Sequence, residues 1–143
     1  MLGVVTEKIC ILVVDDEPSV GDALRMVLES RGYEVVLATT GVDGVDHARR
    51  RRFAFGVVDL RLTDISGFQV ITDILRLQPQ TPLLLVTAHG SPQVFAEAKK
   101  LGAVGALSKP FHPTALGWPA RPPITRFASG KPRNRRPCVA ERY

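Results

Sequence analysis

The chain is constrained above all by a series of short apolar runs, each closed by a polar or charged residue. The central one is Phe55-Gly-Val-Val-Asp59, followed by Leu60: an apolar stretch ending in a single carboxylate. Short apolar runs rich in β-branched residues, set between polar segments, mark strands buried on both faces, as in a parallel sheet. An acid directly behind such a run lies at the strand's carboxyl end, the rim where open α/β sheets bind ligands. Taken alone, Asp59 is more simply a solvated loop residue. Its meaning depends on what the other strands deliver to the same rim.

In chain order, residues 9–14 form a first apolar run, and Asp15, Asp16 and Glu17 follow at once. Pro18 suits a first helical turn, Val20, Leu24, Val27 and Leu28 recur at helical spacing up to Arg31, and Gly32 supplies a stop. Residues 34–38 read as a second strand. A weaker helix is predicted over 42–50, with Val45 and Ala48 inward and Gly44 counting against it. The four bases Arg49, Arg50, Arg51 and Arg52 at its end read as a solvated terminus complementing the helix dipole, in preference to a nucleic-acid contact. After the central strand and a loop over 60–67, Phe68, Ile71 and Leu75, with Val70, Ile74 and Leu77, give a third helix a wide apolar face. Pro79 and Pro82 frame the approach to a fourth strand over 83–86, which ends at Thr87. Ser91 and Pro92 form an N-cap and first-turn pair for a helix carrying Val94, Ala98 and Leu101 and ending near Gly102. A fifth strand over 104–107 runs into Ser108, Lys109 and Pro110.

Strands alternating with helices at this spacing predict βαβ units with right-handed crossovers, hence an α/β fold on a parallel sheet. All strands then point one way. Strands one, three, four and five deliver Asp15 and Asp16, Asp59, Thr87, and Lys109 to one edge. Crowded carboxylates repel one another unless a cation is present, and hard oxygen ligands suit Mg²⁺, which often bridges a carboxylate to a phosphate. A lysine and a threonine hydroxyl supply what phosphoryl oxygens need, and carboxylates are known nucleophiles toward phosphorus. Each residue has a plainer reading: Asp15 and Asp16 as helix caps, Thr87 as a strand-end hydroxyl, Lys109 as a solvated base. Their joint occurrence at four strand ends favours a Mg²⁺-dependent phosphoacceptor.

Composition narrows the classes further. At 143 residues the chain suits one domain, and no apolar run approaches the roughly 20 residues of a membrane span. No secretory signal pattern opens it, and Cys10 and Cys138 do not suggest a disulfide framework, so a cytoplasmic setting is expected. From Phe111 onward seven bases stand against Glu141 alone, so the net charge of +5 belongs to this end and the remainder is close to neutral. His47, His89 and His112 are too scattered for a metal site, and no Gly-x-Gly-x-x-Gly follows the first strand.

Four motifs carry a resemblance to a known family: Ile11-Leu-Val-Val-Asp-Asp-Glu-Pro18, Val57-Val-Asp-Leu60 with Asp64-Ile-Ser-Gly67, Leu85-Val-Thr-Ala88, and Leu107-Ser-Lys-Pro-Phe111. In this order and spacing the chain resembles the receiver domain of bacterial two-component response regulators over residues 9 to about 116. The resemblance implies a flavodoxin-like, doubly wound five-stranded parallel sheet in order 2-1-3-4-5. It implies that Asp59 is the phosphorylated aspartate, that Asp16 ligates Mg²⁺ directly and Asp15 through water, and that the backbone carbonyl of Arg61 is the third protein ligand. Thr87 would reorient onto the phosphoryl group, Lys109 would hold a phosphoryl oxygen, and the Lys109–Pro110 peptide would be cis. The implied partners are a sensor histidine kinase or phosphotransfer protein and a downstream effector protein.

Three departures bear on this. Thr63 stands where the family usually has proline. Ala106 stands where an aromatic ring usually reports the threonine's movement, which bears on output rather than on phosphorylation. Residues 111–116 match the start of the last family helix, but the prolines from Gly117 onward cannot continue it. The expected organisation is therefore an N-terminal leader over 1–8, a receiver domain over 9–116 with its last helix truncated or missing, and a disordered basic tail over 117–143. A shifted reading frame or artificial end explains the break as well as a native tail does. A missing helix would bare apolar surface near strands one and five, with lowered stability or self-association through that patch the expected result. The competing functions are a receiver-like docking module that is never phosphorylated and weak, non-specific nucleic-acid binding by the basic tail. Sequence-specific nucleic-acid binding and membrane association are not expected. A hydrolase of the aspartyl-phosphate type would want a second acid where Arg61 stands.

Overall fold

A computed structural model of the chain describes residues 9–111. The leader over 1–8, residues 112–116 of the expected helix stub and the tail over 117–143 lie outside the described residues. Five strands and four helices alternate: β1 (Cys10–Val14), α1 (Pro18–Ser30), β2 (Glu34–Ala38), α2 (Gly41–Arg50), β3 (Phe55–Asp59), α3 (Gly67–Leu77), β4 (Leu83–Thr87), α4 (Pro92–Lys100) and β5 (Gly105–Ser108). All neighbouring strands are parallel, in the order β2-β1-β3-β4-β5. This is the expected flavodoxin-like sheet. The helices fall where the apolar spacing placed them, with limits shifted by a residue or so. Val104, expected inside β5, lies one residue before it and is exposed, although its N–H already donates to Leu83 O.

The continuous apolar runs resolve into two faces because successive strand residues point to opposite sides. Leu12 and Val14 of β1 join Val58, Leu83 and Leu85 under α2, α3 and α4, with Val45, Ala48, Val70, Ile71, Ile74 and Ala98 from the helices. Ile11 and Val13 join Val35, Val57, Leu84 and Val86 on the other face. Among the described helices only α1 enters that second cluster, through Val20, Leu24 and Leu28. The Lys109–Pro110 peptide is cis, and no described helix is long and apolar enough to cross a membrane.

Gly44 has a packing role that helix propensity does not reveal. A Cβ there would lie 2.6 Å from Val14 Cγ2, so the missing side chain is what lets α2 sit directly on β1. Gly32 and Gly102, which close α1 and α4, adopt φ of +90° and +106°, the left-handed region that glycine enters without steric cost. At the amino-terminal edge of the sheet, buried Gln78 binds the ends of α2 and α3 together. Its Nε2 donates to Ala48 O at 2.7 Å and Arg51 O at 2.6 Å, while its Oε1 accepts from Phe53 N at 3.1 Å and Thr81 Oγ1 at 2.9 Å.

Candidate functional site

The site forms at the opposite edge, where the ladder runs one step past the strands. Asp15 N donates to Ala38 O at 3.0 Å, Leu60 N to Val86 O at 2.9 Å and Lys109 N to Thr87 O at 2.7 Å. These bonds fix the chain immediately beyond β1, β3 and β5, so the residues that follow or end the strands stand at a common level. Asp59 pairs with Val86 in register, and Thr87 with Ser108.

Four predicted residues come together there. Lys109 Nζ donates to Asp15 Oδ2 at 2.8 Å and lies 3.3 Å from Asp59 Oδ2, and all three side chains are nearly closed to solvent. The second oxygen of Asp15 accepts from Glu17 N at 2.9 Å, which turns the start of α1 toward the cluster. Asp15, Asp16 and Asp59 each offer an oxygen within 4.8 Å of the others. Thr87 is buried at the same edge, its Oγ1 accepting from His89 N at 3.2 Å. No hydrogen bond joins it to Asp59 among the described residues. The Arg61 main chain lies near enough to the Asp59 carboxyl to act on its pKa.

Burial, and then the negative charge of Asp15, push the Asp59 carboxyl up to about 6; Lys109 and the Arg61 backbone pull the other way. For Lys109 burial favours the neutral amine, but the hydrogen bond and charge of Asp15, reinforced by Asp59, outweigh it and raise its pKa. Among the described residues one ammonium thus faces a cluster of three carboxylates. Such a set of hard oxygen donors, short of positive charge, fits a divalent cation and can hold one.

Two residues around the site were given no role from sequence. A Cβ at Gly67 would lie 2.2 Å from Asp59 O, so only glycine lets α3 begin this close to the strand end. Asp64 reaches from the β3–α3 loop to α2, its Oδ1 accepting from Gly41 N at 2.9 Å and its Oδ2 from Val42 N at 2.8 Å. The Val42 bond first, and then that of Gly41, hold its carboxyl below the usual range against the opposing effect of burial. Both residues belong to a motif read from sequence. Their partners are backbone atoms that carry no sequence signal.

Residues 11–117 match the family described as the response regulator receiver domain. The chain belongs to that family. This receiver is 35% identical over 106 residues to the transcriptional regulatory protein GlrR of Escherichia coli K12, an alignment covering 74% of this chain and 24% of that protein. It spans about a quarter of the length of the first curated relatives it matches. A CheY-like receiver from Methanospirillum hungatei superimposes with a TM-score of 0.73 at 28% identity, covering 76% of this chain and 87% of that one. A response regulator from Burkholderia pseudomallei, solved with a phosphorylated aspartic acid, a calcium ion and citrate, gives 0.73 at 32% identity, covering 76% and 64%.

Proposed function

We propose that this receiver accepts a phosphoryl group onto Asp59 from the phosphohistidine of a sensor histidine kinase or phosphotransfer protein, and signals to an effector by changing conformation. One observation carries the proposal: Lys109 Nζ stands 3.3 Å from Asp59 Oδ2 beside a cluster of three carboxylates. A carboxylate oxygen of Asp59 attacks phosphorus, the P–N bond breaks as the P–O bond forms, and the leaving imidazole keeps its electron pair and takes a proton. Bound Mg²⁺ supplies charge neutralisation for the phosphoryl oxygens. The residues assigned to hold it are Asp15, Asp16, Asp59 and the Arg61 carbonyl. Lys109 balances a phosphoryl oxygen, and the Thr87 hydroxyl turns from its present partner to donate to another. The solved relative with a phosphorylated aspartic acid and a calcium ion supports a site of this kind.

The group stays on the protein, so the chain is an acceptor with slow self-hydrolysis rather than a turnover enzyme. Residues 9–116 are taken as the receiver unit and 117–143 as a basic tail, in a cytoplasmic protein. Self-association would use the face on which α1 alone among the described helices packs; a monomer that melts cooperatively and binds no hydrophobic dye contradicts it. The test of function is intact-protein mass spectrometry after incubation with Mg²⁺ and acetyl phosphate. One phosphoryl mass should appear on the wild type and not on Asp59→Asn; its absence from both supports the docking reading, which the missing ring at Ala106 favours.

A further inference from the structure

The loop between Asp59 and α3 is closed at two places. At its base Gly67 N donates to Leu60 O at 2.8 Å, and Gly67 packs on the Asp59 carbonyl. At its tip the Asp64 carboxylate takes the first two N–H groups of α2, one on each oxygen, at 2.9 and 2.8 Å. Helix α2 already has a cap of its own, Thr40, whose side chain accepts from Asp43 N. Asp64 therefore does not replace a missing local cap; it joins two separate parts of the chain. An anionic acceptor on a helix N-terminus makes charge-assisted bonds, favoured further by the dipole. Ile65, next to it, fills the space over Gly41, where a Cβ would lie 2.5 Å from Ile65 Cγ1. Between the two anchors lies Arg61, whose carbonyl the proposed function assigns to the metal.

We propose that Asp64 is a positioning residue for the divalent cation: by clasping Gly41 N and Val42 N it holds the β3–α3 loop, and with it the Arg61 backbone, in place beside Asp59. The inference rests on the metal assignment made above. Coupling between sites is reciprocal. If the clasp helps hold the metal, bound metal tightens the clasp by the same factor.

The test is calorimetric titration of Mg²⁺ into the full chain and its variants, below the temperature at which any of them begins to melt. Asp64→Ala should weaken Mg²⁺ binding about three- to tenfold, toward the low end of outer-shell effects because it acts through a loop. Asp64→Asn, which keeps one acceptor, should fall between. Val42→Pro removes one donor from the helix side, at a first-turn position where proline is tolerated. Combined with Asp64→Ala it should add less than about twofold, since the bond it removes is one of the two that Asp64→Ala already breaks. Amide exchange at Gly41 and Val42 should slow on adding Mg²⁺ to the wild type and not to Asp64→Ala.

A lowered melting temperature with unchanged Mg²⁺ affinity makes Asp64 purely structural and overturns the proposal, as do independent effects that multiply in the double variant. The two readings separate cleanly. A wild type that binds Mg²⁺ in an Asp64-dependent way but takes no phosphoryl group removes the proposed function and leaves Asp64 its role. A wild type that is phosphorylated, with Asp64→Ala binding Mg²⁺ as tightly, does the reverse. No Mg²⁺ binding by the wild type overturns both.

Discussion

At the amino-terminal edge of the sheet Gln78 is 2% exposed, and both ends of its amide are satisfied, by Ala48, Arg51, Phe53 and Thr81. At the carboxyl edge Asp15 and Asp59 are each 5% exposed, yet among the described residues a single ammonium serves both. Each edge buries polar groups under the same nine elements. One is neutral and fully paired; the other is charged and short of cations. A paired neutral network stabilises by making the alternative costly, because breaking it strands buried donors and acceptors. A crowded carboxylate cluster does the opposite, because like charges held together disfavour the fold until a cation offsets them.

The contrast gives an ordered set of expectations. Gln78→Leu keeps the volume but leaves Phe53 N, Ala48 O and Arg51 O without that partner. It should cost roughly 3 kcal/mol in denaturant unfolding and leave Mg²⁺ affinity unchanged; a loss below about 1 kcal/mol would mean the foot of the sheet repairs itself with water. Asp59→Asn should act in the other direction. Removing one crowded charge should stabilise the metal-free protein at neutral pH by on the order of 1–2 kcal/mol, and a destabilised variant would show that the Lys109 contact outweighs the crowding.

The pH dependence follows with its sign. The Asp59 carboxyl is raised to about 6 in the folded chain from an ordinary 3.8. The native state therefore takes up its proton first, and this group's contribution to stability is largest below the ordinary value and is lost as pH rises through about 6. Metal-free wild type should gain on Asp59→Asn by on the order of 1 kcal/mol between pH 7.5 and pH 4.5, measured as the difference of their unfolding free energies, and added Mg²⁺ should shrink that gain. At the small end lies the ion pair of Arg50 with Asp46, 3.0 Å long on side chains 61% and 40% exposed. Arg50→Ala should shift stability by at most about 0.5 kcal/mol, a baseline against which the two buried edges are judged.

Much of this was legible in the sequence, for identifiable reasons. Parallel strands buried on both sides read as unbroken apolar runs, and because every strand points the same way, the residues ending them had to share an edge. Asp15, Asp16, Asp59 and Lys109 were found by that rule and by the motifs around them. The two faces of the sheet were not legible, since a strand covered on both sides shows no alternation. Nor were the partners of Gln78 and Asp64, backbone groups lying 22 to 30 residues away in the chain. Gly44 was misjudged for a related reason: propensity counts what a glycine costs its own helix, and Val14 lies outside that reckoning.

The Lys109–Asp15 bond joins residues 94 apart in the chain, and four parallel crossovers separate its ends. A fragment lacking either residue, or a chain synthesised only part way to Lys109, cannot bring that ammonium to that rim. Under the proposed function, competence to accept a phosphoryl group would thus arise only with completed tertiary structure. Phosphorylation at Asp59, if it needs that assembled rim, would count native molecules and pass over all others.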